Sequence, residues 1–376
     1  MLSKVTPRIL VVNPYGIGDV LFCTPLIRTL RKTYPKAFIT VLLGSRTEAI
    51  LEFNPHINAL FTYNKDHYRA LPFLQKIHYL SKLLFTLRCQ NFDICFDLSN
   101  NDEYGFLAKF IWRIPIRIGF NYKNRGRFLT HKIKLKNGFS GKHVAEHYNS
   151  LLQFLDIDLS KIAKIEKKLD FYIDSSQKEW LKEIWTHHHI KENDMVIYIL
   201  PGGGASWGAQ AAYRYWPTSH FAKLADSLIE HYGAKIFIIG SPSEKKLCKE
   251  VIEHMKHSAI DLSGQTTLHQ LGALMQQCHL VIGSESGPLH LATALNCPTL
   301  PIYGPVDEKV YGPHIEKTLQ RSFYSPIACR PCYKNFSMPQ CHNRICLEEL
   351  DLYLMLNQIN SIINTQAISY DNSSAL

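Results

Sequence analysis

The sequence predicts an α/β protein made of two Rossmann-like domains with mainly parallel sheets, and three observations lead there. Short β-branched or apolar runs alternate with longer amphipathic stretches along most of the chain, the signature of βα units and parallel sheets. The alternation passes once through the first half and restarts near Met195. Finally, 376 residues of which 46% are hydrophobic are enough for two buried cores, at roughly 150 residues per domain.

Taken in order, strands are expected at 8–13, 37–43, 59–63, 93–98 and 115–119, where apolar and β-branched residues run together. Longer stretches at 18–32, 68–88 and 103–112 separate them and read as helices. In the second half, strands are expected at 195–200, 235–240, 258–262, 279–283 and 298–303, with helices at 217–232, 243–255, 267–277 and 287–295. Between the halves, 157–193 is charged and polar without a clean apolar stripe and reads as a linker. The division expected is a first domain over 1–175, a second over 176–350, and a C-terminal helix with a disordered tail over 351–376, the tail from Ser369 onward.

The longest apolar runs fall far short of the ~20 residues of a membrane span, and the N-terminus shows no signal-peptide core, so the chain is expected in the cytoplasm. Its net charge of +10 leans toward anionic partners such as nucleotides, phosphorylated lipid or nucleic acid.

The loop Asn13-Pro14-Tyr15-Gly16-Ile17-Gly18-Asp19 lies where the first strand hands over to a helix, the place where backbone amides of an α/β unit meet a ligand. Leu21 stands where a dinucleotide fingerprint needs glycine, and no Lys-Ser/Thr pair marks a P-loop, so nicotinamide chemistry is disfavoured. Asp19 falls in the first helical turn; it either faces the ligand crevice or complements the helix dipole. In the second domain, Gly202, Gly203 and Gly204 precede Ser206 and Arg214, a planar fork suited to phosphate if it is not merely solvated. Ser284-Glu285-Ser286-Gly287-Pro288-Leu289-His290 joins a strand to a helix and combines hydroxyls, a glycine amide and a helix N-terminus, either an anion cradle or a plain cap.

These motifs resemble the ADP-heptose lipopolysaccharide heptosyltransferases of glycosyltransferase family nine. The resemblance runs from Ile9-Leu10-Val11-Val12 through Gly16-Ile17-Gly18-Asp19 and Arg214-Tyr215-Trp216-Pro217 to the 283–292 loop and Tyr303-Gly304-Pro305. It implies a GT-B fold, two Rossmann-like domains facing a central cleft, and an inverting transfer of heptose from ADP-heptose to the Kdo or heptose of a lipid A precursor. By the same resemblance Asp19 is the general base, and Gly16 and Gly18 lie on the acceptor side. Arg214 is the diphosphate contact, where a Lys is common. Gly203, Ser206, Ser284, Glu285, Ser286, Gly287 and His290 line the donor site, with Glu285 one methylene longer than the usual Asp. Glu244 matches a carboxylate that some members place on the ribose. No cofactor is required for this chemistry. A protein acceptor, as in the autotransporter branch, and a non-catalytic nucleotide- or anionic-lipid-binding module are the competing readings; Asp19 speaks against the second.

No acid occurs between Glu103 and Glu146, while Lys109, Arg113, Arg117, Lys123, Arg125, Arg127, Lys132, Lys134, Lys136 and Lys142 do. Interleaved aromatics make this stretch amphipathic, suiting an anionic glycolipid and peripheral contact with the inner membrane, with Arg125 and Arg127 toward the acceptor. Its alternative is a solvated basic face; no nucleic-acid motif accompanies it. Cys329, Cys332, Cys341 and Cys346 lie within eighteen residues. That spacing is compatible with a structural zinc or iron site, with His342 a substitute ligand, or with free thiols.

Overall fold

The computed structural model describes residues 6–155, 157, 168–203, 205–313 and 318–373. The chain divides into two compact units, Met1–Tyr172 and Ile173–Leu376.

In the first unit β1 (Arg8–Asn13) leads into α1 (Ile17–Phe22) and α2 (Thr24–Thr33), followed by β2 (Phe38–Gly44) and β3 (Ala59–Tyr63). Then come α3 (Lys65–Ala70), α4 (Phe73–Cys89), β4 (Ile94–Asp97) and α5 (Asp102–Phe106), which runs on as a π-helical turn, Leu107–Ile111. The unit continues with β5 (Ile116–Tyr122), β6 (His131–Leu135) and α6 (Val144–Ser150). The six strands are parallel in the order β3-β2-β1-β4-β5-β6. β1 is central, with Val11 opposite Val41 on one side and Phe96 on the other. Helices cover both faces of such a sheet, which is why Ile9–Val12 is an unbroken apolar run rather than an alternating one.

The second unit starts with α7 (Gln177–His187) and β7 (Val196–Leu200), then α8 (Thr218–Tyr232), β8 (Lys235–Ile238), α9 (Lys245–His254), β9 (Ile260–Asp261) and α10 (Leu268–Met275). β10 (Leu280–Ser284), α11 (Gly287–Ala294), β11 (Thr299–Tyr303), α12 (Glu308–Tyr311), β12 (Phe323–Tyr324), α13 (Ile345–Glu348) and α14 (Leu352–Ser373) complete it. Its parallel sheet, β12-β11-β10-β7-β8-β9, repeats the first topology with β7 in the place of β1. One core joins Ile197, Ile199 and Ile282 to Trp216, Phe221 and Leu224 and to Met355, Ile359 and Ile362 of α14. In each unit the chain turns away on opposite sides of a strand pair, β1/β4 and β7/β10, and the loops beyond their carboxyl ends form the crevice where α/β sheets bind ligands.

The structure corrects several sequence expectations. The helix expected over 18–32 is two, because Pro25 has no amide to continue the first and starts α2 instead. Pro72 likewise divides 68–88 into α3 and α4. Part of the basic stretch is a strand, β6, whose His-Lys-Ile-Lys-Leu alternation suits a half-solvated sheet edge. The linker expected over 157–193 contains α7, which packs on α10, while 158–167 lie outside the described residues. α14 extends through Ser373, into the tail expected to be disordered. No helix among the described residues is long and apolar enough to cross a membrane.

Candidate active site

At the β1/β4 switch point the loop after β1 is held from within. Buried Asn13 donates to the Asp19 carbonyl at 2.8 Å and accepts from the Tyr15 amide at 3.4 Å, clamping the turn that contains Gly16 and Gly18. Gly16 is the N-cap of α1, and Asp19 sits half-buried in the helix's first turn. The Tyr15 hydroxyl reaches across to donate to the Ser99 carbonyl, tying the β1 loop to the β4 loop. Burial pushes the Tyr15 phenol far up from its usual range, and the carboxylates of Asp19 and Asp97 push it further, while Arg125 opposes them. Arg125 therefore belongs to this neighbourhood. Arg127 pairs with Asp102, at the start of α5 after the β4 loop, and lies 5.0 Å over the Phe128 ring.

Asp97 was not singled out in the sequence. It ends β4, is buried, and accepts from the Ser99 amide at 3.0 Å and the Ser99 hydroxyl at 2.6 Å. Desolvation raises its carboxyl from the usual 3.8 to about 6, and the two Ser99 bonds only partly offset that. Its Asp-Leu-Ser setting carries no motif; only the pairing of β4 with β1 shows that it lies beside the Gly16–Asp19 loop.

The β7/β10 switch point is built from three segments. Gly283 makes it possible: a Cβ there would lie 2.3 Å from the Leu200 carbonyl, so only glycine lets β10 approach β7 this closely. Ser284 then latches the loops, donating to the Pro201 carbonyl at 2.9 Å and accepting from the Trp216 amide at 3.3 Å. Gly202 leaves room for Glu244, whose carboxylate closes a capping box on Ser241 with bonds of 2.8 and 2.7 Å. Gly203 continues this loop, and the side chain of Ser206 lies outside the described residues, as does Gly204.

Arg214 is not the solvated arginine that was one of its two expected readings. It is 4% exposed and donates to the Gly203 carbonyl at 3.1 Å, the Glu285 carbonyl at 2.5 Å and the Glu285 carboxylate. Glu285 in turn meets His290 Nε2 at 3.3 Å. The three side chains form one buried network, so the carboxylate expected to reach a ligand is answered by protein. Ser286 is the exception in this loop. It is the N-cap of α11 yet makes no side-chain cap, and its buried hydroxyl has no hydrogen-bond partner among the described residues. Gly287 follows, half-buried, with Pro288 in the first turn. An unanswered hydroxyl beside the Gly287 amide at a helix N-terminus can receive an anionic oxygen.

The four cysteines of the cluster come near one another. The thiols of Cys329, Cys332 and Cys341 influence Cys346, which burial raises to about 11. However, no group of three or more His, Cys, Asp or Glu among the described residues is arranged to hold a metal ion. His342 adds no such group, and of the four thiols Cys329 is exposed, Cys332 and Cys341 are half-buried and Cys346 is buried.

Comparison with known proteins gives this arrangement a family. The chain is 27% identical over 311 residues to lipopolysaccharide heptosyltransferase 3 of Escherichia coli, covering 81% of this chain and 85% of that protein. It is 28% identical over 320 residues to lipooligosaccharide heptosyltransferase 2 of Haemophilus ducreyi, covering 82% and 86%. The structure of E. coli ADP-heptose LPS heptosyltransferase II superposes with a TM-score of 0.71 at 20% identity, over 96% of this chain and 99% of that one, a likeness of the GT-B fold. The family model for glycosyltransferase family 9 (heptosyltransferase) matches residues 80–342, and the chain belongs to that family of enzymes.

Proposed function

We propose that this enzyme transfers heptose from ADP-heptose to the inner core of lipopolysaccharide with inversion at the anomeric carbon. The second unit would hold the donor and the first the acceptor. One observation carries the donor half: the buried Ser286 hydroxyl without a partner, at the open N-terminus of α11 and the β7/β10 switch point. The names of the relatives supply the sugar and the acceptor class.

In this reading the diphosphate meets the Ser286 hydroxyl and the amides of Gly287 and the Gly203 loop. Arg214 and Glu285 act behind them: the guanidinium holds the Gly203 carbonyl and the Glu285 backbone in one geometry, and His290 braces the carboxylate. Glu244, held by Ser241 beside Gly202, is placed for the ribose. As the acceptor hydroxyl attacks the anomeric carbon, its proton passes to Asp19 and the ADP–sugar bond breaks, the electron pair leaving with the β-phosphate. Fixed hydrogen-bond donors aimed at that phosphate stabilise the developing charge, so the proposed step needs no metal cofactor. Gly16 and Gly18 would let the acceptor approach, with Arg125 beside Tyr15 answering its anionic groups. A lipid-anchored acceptor and a water-soluble donor place the reaction at the cytoplasmic face of the inner membrane.

ADP release is measured with ADP-heptose, UDP- and GDP-sugars and a de-acylated inner-core acceptor, for the parent and Asp19→Asn. The parent turns over ADP-heptose alone; the variant keeps donor affinity and melting temperature while kcat falls ~10²-fold or more, the scale of general-base catalysis. Near-parental kcat with a lowered melting temperature would reduce Asp19 to a helix-dipole role.

A further inference from the structure

Two neighbouring elements of the first unit turn apolar side chains outward. Leu83, Leu84 and Leu87 of α4 pack with Tyr104, Leu107 and Ala108 of α5 and its π-helical turn in one cluster against Leu10, Val12 and Cys95, so both elements lie in one layer on one sheet face. The outer side of α4 exposes Leu74 by 77%, Ile77 by 51% and Phe85 by 70%, residues that helical spacing places in one stripe, with Phe73 at its start. α5 and its π-helical turn expose Phe106, Phe110 and Ile111, and Phe106, Phe110 and Phe128 form a ring cluster with centroids 4.9–5.8 Å apart.

Around the α4 stripe the charges have one sign, whereas exposed Glu103 opens α5 one turn before Phe106. Between Asp66 and Asp93 there is no acid, but there are Arg69, Lys76, Lys82 and Arg88. The second element adds exposed Lys109 and Arg113, with Lys109 4.8 Å over the Phe110 ring. The apolar stripe of α4, flanked by cations, is what an interfacial helix presents to a bilayer: rings and leucines sink to the acyl boundary while Lys and Arg reach back to phosphates. A second copy fits poorly at the α4 stripe, because Arg69, Lys76, Lys82 and Arg88 would meet the same cations with no acid between Asp66 and Asp93 to answer them.

We infer that the outer face of α4 and the π-helical turn docks this enzyme on an anionic lipid bilayer, through Leu74, Ile77, Phe85 and Phe110 with Lys82 and Lys109 at the rim. The inference deepens the reading of a lipid-anchored acceptor and rests on it only for its purpose. It extends the contact beyond the basic stretch of 103–146 to α4.

The test is co-sedimentation of the full chain with phosphatidylcholine vesicles containing about 30% phosphatidylglycerol, and with phosphatidylcholine alone. The parent binds the anionic vesicles, less so as salt rises from about 0.1 to about 0.5 M. Leu74→Asp/Phe85→Asp lowers binding at least about tenfold, the loss of two buried apolar side chains. Lys82→Glu/Lys109→Glu, which leaves the apolar stripe intact, lowers it chiefly at low salt. Both keep the parent's melting temperature and its turnover of the de-acylated acceptor. Undiminished vesicle binding by both variants, or a dimer of the parent that Leu74→Asp/Phe85→Asp dissociates, overturns the inference. Loss of vesicle binding by the variants of a protein that transfers no heptose would leave the docking face standing and fell the proposed reaction instead.

Discussion

Glu285 shows how a single residue's meaning depends on what folds against it. Its carboxylate is buried against Arg214, 71 residues away in the chain, and His290. Removing one partner of a buried ion pair leaves the other charge uncompensated, which costs about 3–5 kcal/mol, whereas replacing both by apolar residues often costs little. Glu285→Ala should therefore shift the urea midpoint down strongly, and Arg214→Met/Glu285→Leu should recover most of the loss. A cost below about 1 kcal/mol for the single change would mean the carboxylate is available to the donor after all. Asp97 is the opposite case, a buried carboxyl without a cation. With its pKa raised from 3.8 to about 6, the folded chain keeps a proton between those values that the unfolded chain gives up. Stability therefore falls as pH rises through that window, by about 3 kcal/mol in all, and the full cost remains above it. Asp97→Asn can still accept from the Ser99 amide but does not titrate. Denaturation at pH 4, 5, 6 and 7 should show the variant gaining on the parent up to pH 6 and level beyond; parallel curves would mean Asp97 is not desolvated as its burial implies.

At the scale of elements, most strands were legible because their apolar runs are continuous, which a sheet covered on both faces requires. β6 was not, since its lysines alternate with Ile133 and Leu135 and read as one more part of a basic stretch. β12 has only two residues and pairs solely through β11. The proline breaks at Pro25 and Pro72 were visible, but the amphipathic pattern carries across them and hides the division. Motif loops were legible where glycines, serines and a proline cluster at strand ends; the Asp97–Ser99 turn was not, because its place beside the Gly16–Asp19 loop depends on a pairing between β1 and β4 about 85 residues apart. Gly283 condenses this dependence into one backbone position. The Cβ of Gly283→Ala would fall 2.3 Å from the Leu200 carbonyl and 2.9 Å from the Leu200 Cβ, so the β7–β10 pair must separate. The expected outcome is a loss of several kcal/mol, as for other overpacked backbone contacts, together with weakened ADP affinity, because the Pro201 and Ser284 latch moves with the strands. Thermal melting and ADP titration measure the two; a variant with parental stability would show that β10 can slide without disturbing the site.

For the whole molecule, one strand order occurs twice, and each copy carries its own sheet, core and switch point. The two crevices differ in chemistry. That of the first unit collects titratable oxygens, Asp19, Asp97 and Tyr15, whereas that of the second offers a hydroxyl without a partner among the described residues, glycine-loop amides and a helix N-terminus, with the buried Arg214 already neutralised by Glu285. Negative groups repel a diphosphate and suit proton transfer; amide and hydroxyl donors do the reverse. The two copies should therefore respond separately to the two substrates. Loops open locally at low cost, so hydrogen exchange in them reports ligand contact more directly than exchange from the strands does. ADP-heptose added alone should slow exchange in peptides covering 200–217, 240–246 and 283–291 and leave 13–22 and 97–103 near their free rates. The de-acylated acceptor should give the converse pattern. Protection of 13–22 by the donor alone would put the nucleotide on the first unit and reverse the assignment of the two crevices.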